Sequence, residues 1–312
     1  MNNAIKTIAI TGGTGLVGQA LTAVLLQQGF TVIILTRQPG KQPKPWPAGL
    51  SYVAWNPASQ QIDGTAMAAV DAIVNLAGAG VVAKPWTAAY KKEIVKSRTD
   101  SGVTLQFFLK NYPNRVQHIV QASAQGWYGG DIGTGPFTED LPPAPGFLGE
   151  TCQAWEASIS PVTELGVRLT ILRLGIVLSN NGGALAEFKK PLRFRVAGIL
   201  GNGKQMVSWI HIQDVCGIIL HALQHKLEGI FNTVAPNPVT NKQLTLALAK
   251  AMYGNGFVAL PVPVFVLKIM LGSRSIEVLK SATVSAQKIE AAGYVFNYPA
   301  IKQAMAALAA KQ

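Results

Sequence analysis

Thr11-Gly12-Gly13-Thr14-Gly15-Leu16-Val17-Gly18 is the stretch on which the fold turns. It follows an apolar run with the character of a buried strand, Ala4–Ile10, and opens a segment of helical period, Gly15–Gln28. Its glycines satisfy G-x-G-x-x-G counted from Gly13, and G-x-x-G-x-x-G counted from Gly12. Early glycines permit a tight turn with positive φ and let the backbone approach a pyrophosphate closely. Gly18 lets the helix pack against the sheet, and the helix N-terminus offers unpaired N–H groups to an anion. This placement predicts a dinucleotide held by Gly12, Thr14, Gly15, Leu16, Val17 and Gly18. The plainer alternative is a tight strand–helix turn that binds nothing.

Further along, Thr31–Thr36, Leu50–Ala54, Asp71–Ala77, Val116–Ala122 and Arg168–Leu178 read as strands, with helices at Trp86–Leu109 and Cys152–Leu165. Continuous apolar strands alternating with helices predict an α/β fold, a Rossmann-type doubly wound parallel sheet. After Ser179 the rhythm changes. Met206–Ile210 and Ile230–Val234 resemble strands returning to the main sheet, and from Pro236 helical pieces and prolines dominate. The expected organisation is a Rossmann domain over 1–178 and 206–235, with a smaller, mostly helical C-terminal substrate lobe over 179–205 and 236–312.

The composition narrows the function classes. Of 312 residues, 49% are hydrophobic and 13% charged, which excludes a disordered chain. Two cysteines, Cys152 and Cys216, cannot form a disulfide framework, and with four histidines they show no metal-ligand spacing. No apolar run reaches the roughly 18 residues of a membrane span, and a strand at Ala4 leaves no room for a signal peptide. A cytoplasmic protein with no membrane partner is expected. Residues 1–150 carry 11 Lys/Arg against 8 Asp/Glu (+3), and residues 151–312 carry 16 against 7 (+9). Nothing interleaves aromatic and basic residues as single-stranded nucleic acid requires, so no nucleic-acid partner is expected. The excess is a solvated face or suits a small substrate bearing phosphate or carboxylate. Its densest run, Lys189, Lys190, Arg193, Arg195 and Lys204, falls in the expected substrate lobe. A monomer or homodimer is compatible with all of this.

The end of the second strand speaks to the cofactor. An NAD site usually has an Asp or Glu about 20 residues beyond the loop, for the ribose 2′-hydroxyl. Here the strand ends Leu35-Thr36-Arg37 with no carboxylate nearby. A guanidinium at that place would pair with a 2′-phosphate, so NADP(H) is the expected cofactor.

Thr11–Gly18, Asn75-Leu76-Ala77-Gly78, Ser123-Ala124 and Trp209-Ile210-His211-Ile212-Gln213-Asp214 together resemble the extended short-chain dehydrogenase/reductase superfamily. Lys96-Ser97-Arg98, Gly126-Trp127-Tyr128-Gly129, Trp155-Glu156 and Ala291-Ala292-Gly293-Tyr294 are similar to its atypical "epimerase family protein" branch, which carries a DUF1731-type C-terminal segment. Family members usually carry Pro where Ala286 stands and an acidic residue at Ser273. The resemblance implies hydride transfer between a nicotinamide and a small carbonyl or hydroxyl substrate, as in nucleoside-diphosphate-sugar epimerases and reductases. It also implies cofactor contacts from Leu76, Ala77, Gly78 and Arg98, from Arg173 and Gly175 near the nicotinamide, and from Asn56 near the adenine. A buried ion pair with Glu156 is the alternative for Arg173. His211 is expected to be structural, with Asp214 capping the helix that follows.

Ordinary members of the superfamily use a Ser/Thr, a Tyr and a Lys, the last two in Tyr-x-x-x-Lys on the next helix. Ser123 matches the serine, but counting on from it lands on Leu148 and Cys152. Leucine has no proton to give and cysteine is no fixed cation. Tyr298 and Lys302 have the right spacing in the wrong part of the chain. Three alternatives stay open: Tyr128 supplies the proton, Cys152 is a reactive thiol, or the protein binds NADP(H) without fast turnover, as a sensor or interaction module. Losing the pair removes acid/base catalysis worth about 10²- to 10⁴-fold.

Overall fold

The computed structural model describes residues 5–310, apart from 43, 132 and 134. The glycine-rich stretch joins β1 (Thr7–Thr11) to α1 (Leu16–Gln27), and β2 (Thr31–Thr36) returns parallel to β1. Next come β3 (Leu50–Asn56), a short antiparallel edge strand β4 (Gln61–Ile62), α2 (Gly64–Met67) and β5 (Ala72–Asn75). The long helix α3 (Ala88–Asn111) leads to β6 (His118–Ala124), and α4 (Phe147–Ala157) to β7 (Arg168–Leu174). β8 (Ile176–Ser179), β9 (Gly182–Gly183), α5 (Ala184–Leu192), β10 (Val196–Leu200), β11 (Met206–Val207) and β12 (Trp209–His211) follow. Beyond them lie α6 (Ile212–Gln224) and β13 (Gly229–Thr233). The C-terminal part holds β14 (Val239–Thr240), α7 (Asn241–Tyr253), β15 (Val258–Val262), α8 (Val264–Leu271), α9 (Ser275–Leu279), α10 (Gln287–Ala291) and α11 (Ile301–Ala309).

The main sheet runs β13-β7-β6-β5-β1-β2-β3-β4, parallel throughout except for β4. The chain winds one way from β1 to β3 and the other way from β5 outward, as a Rossmann-like doubly wound sheet does. Alternate strand residues feed two cores. Ile8, Ile10, Ile34 and Val74 pack with α1 and α6 on one face, while Ala9, Ile33, Leu35 and Ile73 pack with Leu105 and Phe108 of α3 on the other. A third cluster joins Leu178, Leu192, Val207 and Trp209 to Leu244 and Leu248 of α7 and Met305 of α11.

One expected strand breaks in two. At Gly175 a β-carbon would lie 2.8 Å from the Ser208 carbonyl oxygen. The chain crosses itself there, so β7 stays in the main sheet while β8 leaves it to pair with β12. Met206–Ile210 therefore does not return to the main sheet as expected, whereas Ile230–Val234 does, as β13.

His118, buried on β6, gives the sheet a pH dependence. Its Nε2 lies 2.8 Å from Thr170 Oγ1, whose own proton goes to the Leu227 carbonyl, so Nε2 carries the hydrogen. Nδ1 is buried with no partner among the described residues. Burial, with Arg168 adding repulsion, lowers the pKa to about 4. The unfolded chain takes up this proton first, so stability is complete above the ordinary value and falls as pH drops towards about 4. The expected loss is roughly 3 kcal/mol. Urea midpoints measured from pH 7 to 4 should fall less steeply in His118→Gln, and equal slopes would contradict this.

Candidate functional site

The carboxyl ends of β1 and β5 flank the switch in strand order, where open α/β sheets bind ligands. The Thr11 hydroxyl donates to Asn75 Oδ1 and accepts from the backbone N–H groups of Leu76 and Ala77, each at 3.1 Å. Asn75 Nδ2 donates to Ser101 Oγ on α3 at 3.1 Å and to Gln121 Oε1 on β6 at 2.7 Å. These bonds hold the segment 76–78 beside the glycine-rich turn. Gly12 has φ +65°, and a β-carbon there would lie 2.7 Å from the Leu76 carbonyl oxygen. A β-carbon at Gly18 would lie 2.4 Å from the Gly12 carbonyl oxygen, so α1 can start directly beneath the turn. α1 opens at Gly15 with no side-chain cap and no acidic residue in its first turn. Its N–H groups and the positive end of its dipole are left to serve an anion. Gly12, Thr14, Gly15, Leu16, Val17, Gly18, Leu76, Ala77 and Gly78 thus surround one cradle.

Arg37, just past β2, and Asn56, at the end of β3, line one shallow cleft of about 400 Å³ with Trp55 and Asp63. Asp63 Oδ1 is engaged, accepting from Ala66 N at 3.0 Å to cap α2. The exposed guanidinium of Arg37 forms no ion pair among the described residues.

Beyond β6 lies a buried hydrogen-bond network. Ser123 Oγ donates to Glu156 Oε1 of α4 at 2.6 Å, and Arg173 grips both oxygens of that carboxylate, at 2.9 and 3.0 Å. Arg173 Nη1 also donates to the Tyr128 hydroxyl at 3.0 Å and the Glu139 carbonyl at 3.1 Å, and the guanidinium lies 3.7 Å from the Trp127 ring centre. The Tyr128 hydroxyl donates to Asn232 Oδ1 at 2.6 Å, while Glu139 Oε1 accepts from Asn232 N at 2.7 Å. The side chains of Ser123, Tyr128, Glu156, Arg173 and Asn232 are all buried.

The pairing of Arg173 with Glu156 is the alternative that the sequence left open for this arginine. Its guanidinium bonds Glu156, the Tyr128 hydroxyl and the Glu139 carbonyl. Gly175 serves the crossing with Ser208. The Tyr128 proton goes to Asn232, its ring stacks on Phe137, and burial pushes its pKa up to about 12 despite Arg173. Ser123 turns inward, donating to Glu156. Burial, and then Glu156, push the Cys152 thiol up to about 11. Leu148 and Cys152 instead face Gly126, where a β-carbon would lie 3.4 Å from Leu148 Cβ and 3.5 Å from Cys152 Sγ.

Three residues of the basic run have separate protein partners. Lys189 donates to Asn180 Oδ1, Lys190 pairs with Glu187, and Arg195 lies 5.2 Å from the Tyr253 ring centre. His211, not Asp214, is the N-cap of α6, its Nδ1 accepting from Gln213 N at 3.2 Å. The buried Asp214 carboxylate instead accepts from the Tyr294 hydroxyl, Asn297 N and Tyr298 N, fastening the C-terminal segment to α6. The Tyr298 ring packs at a tilt against His211, their centres 3.9 Å apart. Sequence reasoning missed Thr11, Glu139 and Asn232 as organisers, because no local pattern marks a bond made across 93 residues.

The sequence matches the NAD dependent epimerase/dehydratase family over residues 8–233. The chain belongs to that family. Residues 262–308 match a domain of unknown function, DUF1731. Epimerase family protein SSP1921 of Staphylococcus saprophyticus is 34% identical over 303 residues, spanning 96% of this chain and 98% of the relative. Bacillus subtilis YfhF is 32% identical over 308 residues, 97% and 98% of the two chains. The human epimerase family protein SDR39U1 (isoform 2), whose crystal structure was determined with NADPH, superposes with TM-score 0.84 at 28% identity, covering 98% of this chain and 100% of the other. UDP-glucose 4-epimerase of Thermus thermophilus, determined with NAD, shares the fold at TM-score 0.78 and 18% identity, over 97% and 98% of the chains. The epimerase-branch resemblance read from the motifs is borne out, DUF1731 segment included. Among the described residues no helix is long and apolar enough to cross a membrane.

Proposed function

We propose that this epimerase-family chain binds NADP(H), its pyrophosphate against the first amides of α1 and its 2′-phosphate against Arg37. The observation that carries the reading is the uncapped start of α1 beneath Gly12, a cradle that a β-carbon at Gly12 or Gly18 would fill. The residues fit the cofactor: Leu76 to Gly78 form the adjoining wall, and Arg37 stands where a 2′-phosphate lies beside a second strand. The chain functions as a cofactor-binding protein of slow or no turnover, rather than as a fast epimerase. Ser123 and Tyr128 are committed to the buried network, and Leu148 and Cys152 supply neither a proton nor a cation. When bound, NADP(H) supplies or accepts a hydride.

Arg37 provides the test of cofactor choice. A charge-assisted bond contributes about 1.5–3 kcal/mol, so Arg37→Ala should weaken NADPH about 10- to 100-fold and leave NADH unchanged. Fluorescence titration of both cofactors reads this directly, and equal loss for the two would refute the phosphate clamp. In the same cuvette, a panel of carbonyl compounds should oxidise bound NADPH no faster than the uncatalysed background. Rapid oxidation would overturn the slow-turnover reading.

A further inference from the structure

The charge of the chain is concentrated in its C-terminal lobe. Residues 179–205 and 236–312 carry 13 Lys/Arg against 3 Asp/Glu (+10), out of +12 for the whole chain. Two of those three acids are spent inside the lobe, Glu187 on Lys190 at 2.7 Å and Glu277 on Lys280 at 2.6 Å. No acidic residue occurs between 188 and 213, or between 236 and 276. Arg193, Arg195, Lys204, Lys242, Lys250 and Lys268 are all exposed.

The same lobe exposes apolar side chains that a merely solvated face does not need. In α8, which opens the DUF1731 segment, Leu267 alone is buried, while Phe265, Ile269 and Met270 are 64%, 79% and 68% exposed. Phe265 and Ile269 lie one turn apart and share a face, with Lys268 beside it. β15, which runs through Pro263 into α8, adds Val258 and Leu260, alternate residues on one side of the strand. The start of α8 rests at the end of β10. A β-carbon at Gly201 would lie 3.4 Å from Val264 Cγ2, and one at Gly203 would lie 2.9 Å from Lys242 Cβ. Apolar and cationic side chains therefore adjoin, and exposed apolar groups gathered in this way mark a docking face.

Charge decides between the partners. A second copy of this chain would set one cationic face against another. Strand pairing between copies is hindered too: the Val258 N–H goes to the Arg195 carbonyl and the Val262 carbonyl accepts from Gly201, so Ala259 and Pro261 present the outer edge of β15, and proline has no N–H to give. Nucleic acid would engage the cations but leave the aliphatic side chains of α8 in water. An anionic bilayer suits both. We propose that the C-terminal lobe docks on an anionic lipid surface, α8 lying among the headgroups with Phe265, Ile269 and Met270 inserted and the surrounding cations on lipid phosphates. Such a partner is not legible in the sequence, because the apolar residues are divided between β15 and α8 and most of the cations come from distant parts of the chain. The inference is independent of the NADP(H) reading.

The experiment sediments the purified protein with vesicles of phosphatidylcholine alone, or of phosphatidylcholine and phosphatidylglycerol in equal parts. Binding is expected to the mixed vesicles only, and added salt should weaken it. Phe265→Ser combined with Ile269→Ser should lose about 100-fold in affinity for the mixed vesicles. Both side chains are exposed, so this variant should keep the wild-type melting temperature. Lys268→Gln should lose about 5-fold. Val295→Ser, which removes another exposed apolar side chain outside β15 and α8, should change nothing. Wild-type protein that ignores the mixed vesicles, or binds both kinds equally, overturns the proposal. So does undiminished binding by the Phe265 and Ile269 double variant, or an equal loss in Val295→Ser. A dimer in sedimentation velocity that the double variant dissolves would give the face to a second copy instead.

Discussion

Arg173→Met should destabilise the protein by about 3–5 kcal/mol, the largest effect of any single substitution outside the hydrophobic cores. The wild-type guanidinium is 1% exposed and makes two bonds to Glu156, one to Tyr128 and one to the Glu139 carbonyl. Burial disfavours its charge, but Glu156 and then Tyr128 outweigh burial and hold its pKa above the ordinary value. Methionine fills much of the volume while leaving the Glu156 carboxylate in the core with only the Ser123 hydroxyl for company. In a chain of this size the melting temperature should fall by roughly 5–8 °C. Ser123→Ala, which removes one neutral donor from the same carboxylate, should cost only about 1–2 kcal/mol. Calorimetry of the three proteins checks both. An Arg173→Met melting temperature within about 2 °C of wild type would mean that the network adds little to the fold, and Ser123 and Tyr128 would again be free for chemistry.

Gly12→Val should cost the most in binding, at least about 100-fold in affinity for NADPH. The position has φ +65°, where a β-branched residue is strained by about 1–2 kcal/mol. Its β-carbon would also strike a backbone oxygen, that of Leu76, which Thr11 and Asn75 hold in place and which has no rotamer to change. The turn must move, and the amides of α1 move with it. Gly29→Val is the matched control: its φ of +82° imposes similar strain, but nothing lies within 4 Å of the new β-carbon. It should lose stability and keep NADPH. If both variants bound equally, the steric account of the cradle would fail.

The sheet was legible because its signals are local. β1, the glycine-rich turn and α1 lie close to where the pattern puts them, and alternate burial of Ile8, Ala9 and Ile10 on two faces follows from strand period alone. The cradle was legible for the same reason, since its glycines are contiguous. What stayed hidden was long-range. Nothing near residue 128 announces that its hydroxyl will meet Asn232, 104 positions away, or that Glu139 will meet the same residue. Asp214 stands where helix caps stand, yet its partners at Asn297 and Tyr298 lie 83 and 84 residues on. The division of the expected Arg168–Leu178 strand turns on Gly175, whose need for glycine appears only once Ser208 is seen to cross it.

A nicotinamide dinucleotide lying against the start of α1, with its 2′-phosphate at Arg37, should be visible in a titration of the purified wild-type chain. NADPH and NADH are added in turn, and energy transfer from tryptophan to the reduced nicotinamide is followed. Saturable one-to-one binding is predicted for NADPH, with NADH about 10- to 100-fold weaker for want of the phosphate. The absence of saturation with either cofactor, or a preference for NADH, would rule out this mode of binding.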